Sequence, residues 1–155
     1  MQMDVLYFED VKIGEKIKVG DYKLTESEII SFASKWDPQA FHISKKCARS
    51  SIYGSLTACG IHIMAIRTLL LHQIRPKPLI LGSLGWDELR FPNPAKVGDC
   101  LHLIIEFTYK RNWPRKPDRG IVKSLIKVLN QKSIPVLVHK DAVLVARHGK
   151  NGALY

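Results

Sequence analysis

Apolar residues recur at helical spacing in Ile29, Phe32, Ala33 and Trp36, giving one apolar face to a segment that opens at Thr25. Thr25 predicts an N-cap, and Glu28, three residues on, predicts the return arm of a capping box. Asp37-Pro38 closes the segment, because the residue before a proline is pushed out of the helical region. Residues 37–42 are therefore predicted to lie on a loop just past a helix. A second helix is predicted from Gly60 to about Gln73. It is apolar nearly all round (Ile61, Ile63, Met64, Ala65, Ile66, Leu69, Leu70, Leu71), which predicts burial on most sides. At about 1.5 Å per residue it spans roughly 20 Å, and Pro76 and Pro78 stop it.

Beyond the prolines the period changes. Leu79 to Phe91 is an apolar run punctuated by Gly82 and Gly85, the pattern of a bent or bulged strand. Asn93-Pro94 and Gly98-Asp99 mark a turn region. Leu101, Leu103, Ile105, Phe107 and Tyr109 then alternate with Cys100, His102, Ile104, Glu106 and Thr108, which predicts a half-buried strand. Residues 121–129 fit either period, but Asn130 to Ser133 reads as a hairpin into a last strand, Val136 to Ala146, so a strand is predicted there too. One mostly buried helix followed by antiparallel strands is an α+β plan, a sheet wrapped around a helix.

Composition bounds this picture without changing it. The 155 residues suffice for one domain with a real core, and 46% hydrophobic with 25% charged is globular. The start, MQMDVLYFED, has neither a basic n-region nor an apolar h-region, so no signal peptide is expected. The longest apolar block, GIHIMAIRTLLL, is too short to span a bilayer and contains His62 and Arg67, so no membrane partner is expected. Cys47, Cys59 and Cys100 make an odd count with no CxxC pair, which fits free thiols and a cytoplasmic location. The six histidines show no metal-ligand spacing, so no metal is expected. His62 and His72 read as core or interface residues. The net charge of +10 implies an anionic partner. Its basic residues are scattered and not interleaved with aromatics, so nucleic acid is a poor candidate beside a phosphorylated carrier or an acidic protein.

One short stretch, WDPQAFH from Trp36 to His42, carries candidate chemistry. An acid and a histidine that share a water can deprotonate it, and the histidine can hold or return a proton. On spacing alone the simpler reading is that Asp37 ends a helix and His42 packs or faces solvent. Downstream, Tyr53 to Gly60 is a small-residue run leading into the buried helix. The first N–H groups of a helix lack internal partners and suit an oxygen that becomes negative. Close helix packing explains Gly60 equally well. Cys59 has no partner base in sequence and reads as a small packed thiol.

Taken together and in order, these segments resemble the MaoC-like dehydratase family of hot-dog fold enoyl-thioester hydratases. The resemblance runs from about Phe8 to His148. Asp37 to His42 and Tyr53 to His62 carry it, followed by Gly82 to Arg90, Pro94 with Val97-Gly98-Asp99, Arg119-Gly120 and Asn130-Gln131. It implies a single hot-dog domain over residues 1–155, with an antiparallel sheet wrapped around a long central helix. It also implies hydration of trans-2-enoyl thioesters, or the reverse dehydration of 3-hydroxyacyl thioesters, without a cofactor. Asp37 would be the main base on a bound water, and His42 would orient that water and help pass a proton to the α carbon. The Gly60 N–H would receive the thioester oxygen, with Gln39, Phe41 and Cys59 lining the substrate. The partner would be an acyl thioester of coenzyme A or acyl carrier protein, and the protein a homodimer. The chain departs from the family pattern in its supporting residues. Gln39 stands where asparagine is usual, Ala40 replaces proline, Ser44 replaces an acid, and Cys59 replaces histidine or serine. Those departures keep a non-catalytic thioester-binding protein open. A hot-dog thioesterase is disfavoured, because Gly60 to Gln73 contains no carboxylate.

Overall fold

A computed structural model describes residues 4–149. Two short parallel strands, β1 (Val5–Leu6) and β3 (Lys77–Pro78), form a small sheet of their own. The main sheet holds β2 (Lys16–Lys23), β4 (Ile80–Arg90), β5 (Cys100–Asn112), β6 (Arg119–Leu129) and β7 (Pro135–Ala146). Its order is β2-β5-β6-β7-β4, with every neighbouring pair antiparallel. Four helices lie between β2 and β3: α1 (Glu26–Trp36), α2 (Ala40–Ile43), α3 (Lys45–Arg49) and α4 (Gly60–Leu71). The α+β plan predicted from the pattern is the plan observed. None of the helices among the described residues is long and apolar enough to cross a membrane.

The sheet curls over α4, which packs against β2, β5 and β7. Ile63, Met64, Ile66 and Leu70 point into that interface and are buried. Each contributes about 1.5–3 kcal/mol by leaving water, so truncating Leu70 to alanine removes about 2–5 kcal/mol of stability. As expected, α4 is buried on most sides, with one side left open. Ile61, Ala65, Thr68 and Leu69 form an exposed stripe, because none of the described residues covers that side. His62 is a core residue as expected, whereas His72 is the exposed C-cap.

Local signals held in part. Thr25 caps α1, its hydroxyl accepting from the Glu28 N–H at 3.4 Å. The return arm of the box is absent. The Glu28 carboxylate instead accepts from the Tyr22 phenol and lies 3.0 Å from His62 Nε2, tying α1 to β2 and α4. Burial and the bond to Glu28 push the Tyr22 phenol up to about 12. The bulges expected of the Gly82–Gly85 strand are present, with register shifts at three places along β4. The ambiguous segment 121–129 is strand β6, and the hairpin after it is closed by Asn130 Oδ1 accepting from Lys132 and Ile134 N–H. Alternation in β5 is less regular than predicted: His102 is buried between Leu101 and Leu103. β2 falls where no element was predicted. Its Lys-Ile-Lys-Val alternation breaks at Gly20, whose φ of +135° and close approach to His102 exclude a side chain and shift the register.

Candidate active site

Asp37 sits at the end of α1, its N–H still donating to the Ala33 carbonyl at 2.9 Å. Pro38 then stops that helix, and the chain turns directly into α2 with Gln39 as N-cap. The segment predicted as a loop is thus a turn plus one helical turn, too short to leave a periodic signature. That turn carries His42 back toward Asp37. His42 Nε2 lies 3.8 Å from Asp37 Oδ2, with side-chain exposures of 9% and 36%.

The second ring nitrogen is fixed. His42 Nδ1 lies 2.7 Å from the carbonyl oxygen of Thr57. A carbonyl only accepts, so Nδ1 carries the proton and neutral His42 presents a bare Nε2 toward Asp37. Sequence reasoning gave Thr57 no role beyond its place in the small-residue run. A backbone carbonyl leaves no residue-type signal, so nothing in the sequence pointed to it. The Thr57 hydroxyl is itself buried with no partner among the described residues.

Cys59 and Gly60 follow at the start of α4. Cys59 is the N-cap and is buried, with no side-chain cap bond. Burial pushes its thiol pKa up, the helix's N–H groups oppose this, and Asp37 adds to it. A thiol held protonated suits a packed residue, not a nucleophile. Gly60 opens the helix where the Phe91 ring comes close: an added Cβ would stand 2.9 Å from its Cζ. The early N–H groups of α4 have no carbonyl within the helix, and the helix dipole is positive there.

The supporting residues are distributed unevenly. Phe41 is half-buried, its ring tilted at 60° to that of His42 with 4.5 Å between centroids, and Tyr53 lies 5.4 Å from it. Gln39 is exposed and acts through its backbone, accepting from the His42 N–H at 2.8 Å. Ser44 caps α3 by accepting from the Cys47 N–H at 3.3 Å. Other segments of the resemblance lie in the framework. Asp99 accepts from the Lys96 N–H and from Gln131 Nε2, joining the turn before β5 to the hairpin after β6. Among the described residues no group of three histidines, cysteines or carboxylates is arranged to hold a metal ion.

A sheet curled over one long helix, with a polar pair at the start of that helix, defines the class: a hot-dog fold. The family model for the MaoC like domain matches residues 9–128, and the chain belongs to that family. The crystal structure of a MaoC-like dehydratase from Rhodospirillum rubrum superposes with a TM-score of 0.82 at 31% identity, covering 92% of this chain and 98% of that one. The uncharacterized protein YdeM of Bacillus subtilis is 26% identical over 140 residues, covering 90% of this chain and 98% of its own. The R-hydratase PhaJ1 of Pseudomonas aeruginosa shares the fold, with a TM-score of 0.73 at 21% identity over 96% of this chain and 93% of its own.

Proposed function

We propose that this protein adds water to trans-2-enoyl thioesters, and in reverse dehydrates 3-hydroxyacyl thioesters, with Asp37 and His42 as the catalytic pair. The observation that carries this reading is the 3.8 Å gap between Asp37 Oδ2 and the bare Nε2 of His42. One water can sit about 2.8 Å from both atoms, giving a hydrogen to each. In hydration Asp37 takes the water's proton as its oxygen bonds to the β carbon. The charge that develops on the thioester oxygen faces the N–H groups at Gly60. His42 Nε2 then receives the proton from the Asp37 carboxyl and delivers it to the α carbon. A small side-chain rotation or one further water closes the gap between the two groups. Thr57 keeps the imidazole in the tautomer this relay needs. Phe41 backs the ring, and Gln39, Phe41 and Cys59 line the acyl group.

The net charge of +10 suits a carrier bearing phosphates, as coenzyme A and acyl carrier protein do. The cysteines are all free, in keeping with a reducing cytoplasm. A homodimer formed along the edge strand β4 accounts for Leu84 and Trp86 there, and for the uncovered stripe of α4, all exposed in the single chain. The runner-up, a thioester-binding protein without turnover, is favoured by Ser44, which serves as a cap where the family carries an acid.

The test is loss of enoyl absorbance when the purified protein meets crotonyl-CoA and a longer trans-2-enoyl-CoA. Turnover that falls about 10²–10⁴-fold in Asp37→Asn and in His42→Ala, with folding intact, is the expected result. Thioester binding without turnover at either chain length would sink the hydratase reading and leave the runner-up.

A further inference from the structure

Two helices carry the two halves of the candidate site, and a clasp away from the reacting groups joins them. Asp37 caps the end of α1, and Gly60 opens α4. His62 lies in the first turn of α4 and is 2% exposed. Its Nε2 stands 3.0 Å from Glu28 Oε1. A carboxylate only accepts, so His62 donates through its Nε2–H. The flat of the ring lies against Phe32, with 4.3 Å between centroids and 7° between planes. Glu28 and Phe32 are four residues apart on α1 and so share one face of it. They hold the imidazole by its edge and by its face.

The same Glu28 oxygen accepts from the Tyr22 phenol of β2, which anchors the carboxylate from the sheet. Among the described residues no other side-chain hydrogen bond links α1 to α4. A helix is a stiff rod, and nine residues separate Glu28 from Asp37, about 13 Å at 1.5 Å per residue. Fixing the rod at Glu28 therefore fixes where Asp37 stands. On α4 the reach is shorter, because His62 is two residues from Gly60. The His62 and Ile63 N–H groups close the first turn onto the Cys59 carbonyl at 3.0 and 3.2 Å. Packing alone does not call for a histidine here. Its Nδ1 is buried without a partner among the described residues, a penalty that an apolar ring would avoid. What the imidazole adds over such a ring is the Nε2–H bond to Glu28.

We propose that Glu28 and His62 are positioning residues: with Phe32 they fix the start of α4, and the Gly60 N–H, relative to Asp37 at the end of α1. Their part in turnover rests on the hydratase reading, and their mechanical part does not.

Amide hydrogen exchange followed by NMR on the intact protein tests the mechanical part. Glu28→Leu removes the acceptor, Glu28→Gln keeps an oxygen in its place, and both are tolerable at a side chain that is 30% exposed. Exchange of the His62 and Ile63 amides is expected to quicken about 10- to 100-fold in Glu28→Leu, the weight of a hydrogen bond to a charged group. In Glu28→Gln it should change far less. Hydration of crotonyl-CoA tests the functional part. In Glu28→Leu, and in His62→Phe, which keeps a stacked ring and loses the donor, kcat and kcat/KM are expected to fall together by about 10- to 100-fold, with KM unchanged. His62→Gln, which restores a donor, should recover most of the loss. Amide exchange unchanged in Glu28→Leu, or quickened equally by leucine and glutamine, would overturn the proposal. Full turnover in folded His62→Phe would reduce the pair to scaffolding and overturn it as well. An unaltered protein that fails to hydrate crotonyl-CoA defeats the hydratase reading alone, and the exchange rates still decide the clasp.

Discussion

The two ends of α4 hold polar groups under opposite conditions. At its start, Asp37 is 36% exposed and sits 3.8 Å from His42, so acid and base stand apart with room for a water. Farther along, Arg67 and Asp141 are in direct contact and almost wholly out of solvent. A loose, half-solvated pair can exchange protons with a bound molecule, whereas a tight buried pair cannot give up either charge without a large penalty. The first arrangement suits chemistry and the second suits architecture or recognition. Acids on one short domain thus divide by solvent access more than by residue type.

The sharpest way to break this comparison is to neutralise one acid at each end. Asp141→Asn strands the Arg67 charge in the interior and is expected to cost about 3–5 kcal/mol of stability. Asp37→Asn should cost no more than about 0.5 kcal/mol, because its side chain meets solvent, while removing hydration activity. Thermal and denaturant unfolding of both variants measures the contrast. Equal losses of stability would erase it.

A smaller effect is expected at Gly60. An added Cβ meets the Phe91 ring at 2.9 Å, so Gly60→Ala forces that ring aside or shifts the start of α4. The expected cost is about 1–3 kcal/mol, together with a loss of kcat/KM. Pairing Gly60→Ala with Phe91→Ala should recover most of the stability, and stability that fails to recover would put the strain elsewhere.

The smallest expected effect is on pH. Burial lowers the folded-state pKa of His139, and burial followed by the charge of Lys18 lowers that of His102. The unfolded chain therefore takes up protons that the fold refuses. Their contribution is whole above the ordinary histidine value of 6.5 and is lost as pH falls from there toward the lowered folded values. Unfolding temperatures should decline between pH 7 and about pH 5, before the carboxylates titrate. His139→Gln should flatten that slope, and an unchanged slope would assign it to other groups.

Much of the architecture was legible in the sequence. The 3.6-residue period marked α1 and α4, and the change of period after Pro76 and Pro78 marked β4 to β7. What stayed hidden has physical causes. α2 and α3 are single turns with no repeat to detect, and β2 is interrupted at Gly20 where the sheet bulges. Glu28 satisfied a local capping rule but found better partners in Tyr22 and His62, a tertiary contact that no local pattern contains. At the candidate site, Asp37 and His42 stood out as residue types. The Thr57 carbonyl that sets the imidazole tautomer did not, since every residue has one. Arg67 was visible as an odd charge in an apolar run, but Asp141 lies 74 residues away on β7. The exposed stripe on α4 was invisible for another reason: an apolar residue left on the surface reads the same in sequence as one packed into the core.

The central claim is that Asp37 and His42 act on one shared water, and a double-variant cycle tests it most directly. We would measure kcat/KM for crotonyl-CoA hydration in Asp37→Asn, His42→Ala and the combined variant, with folding verified for each. Groups that work as a unit give strongly non-additive losses, so the combined variant should be no slower than the worse single variant. Losses that multiply would mean that the two side chains act independently, and the shared-water account would be wrong.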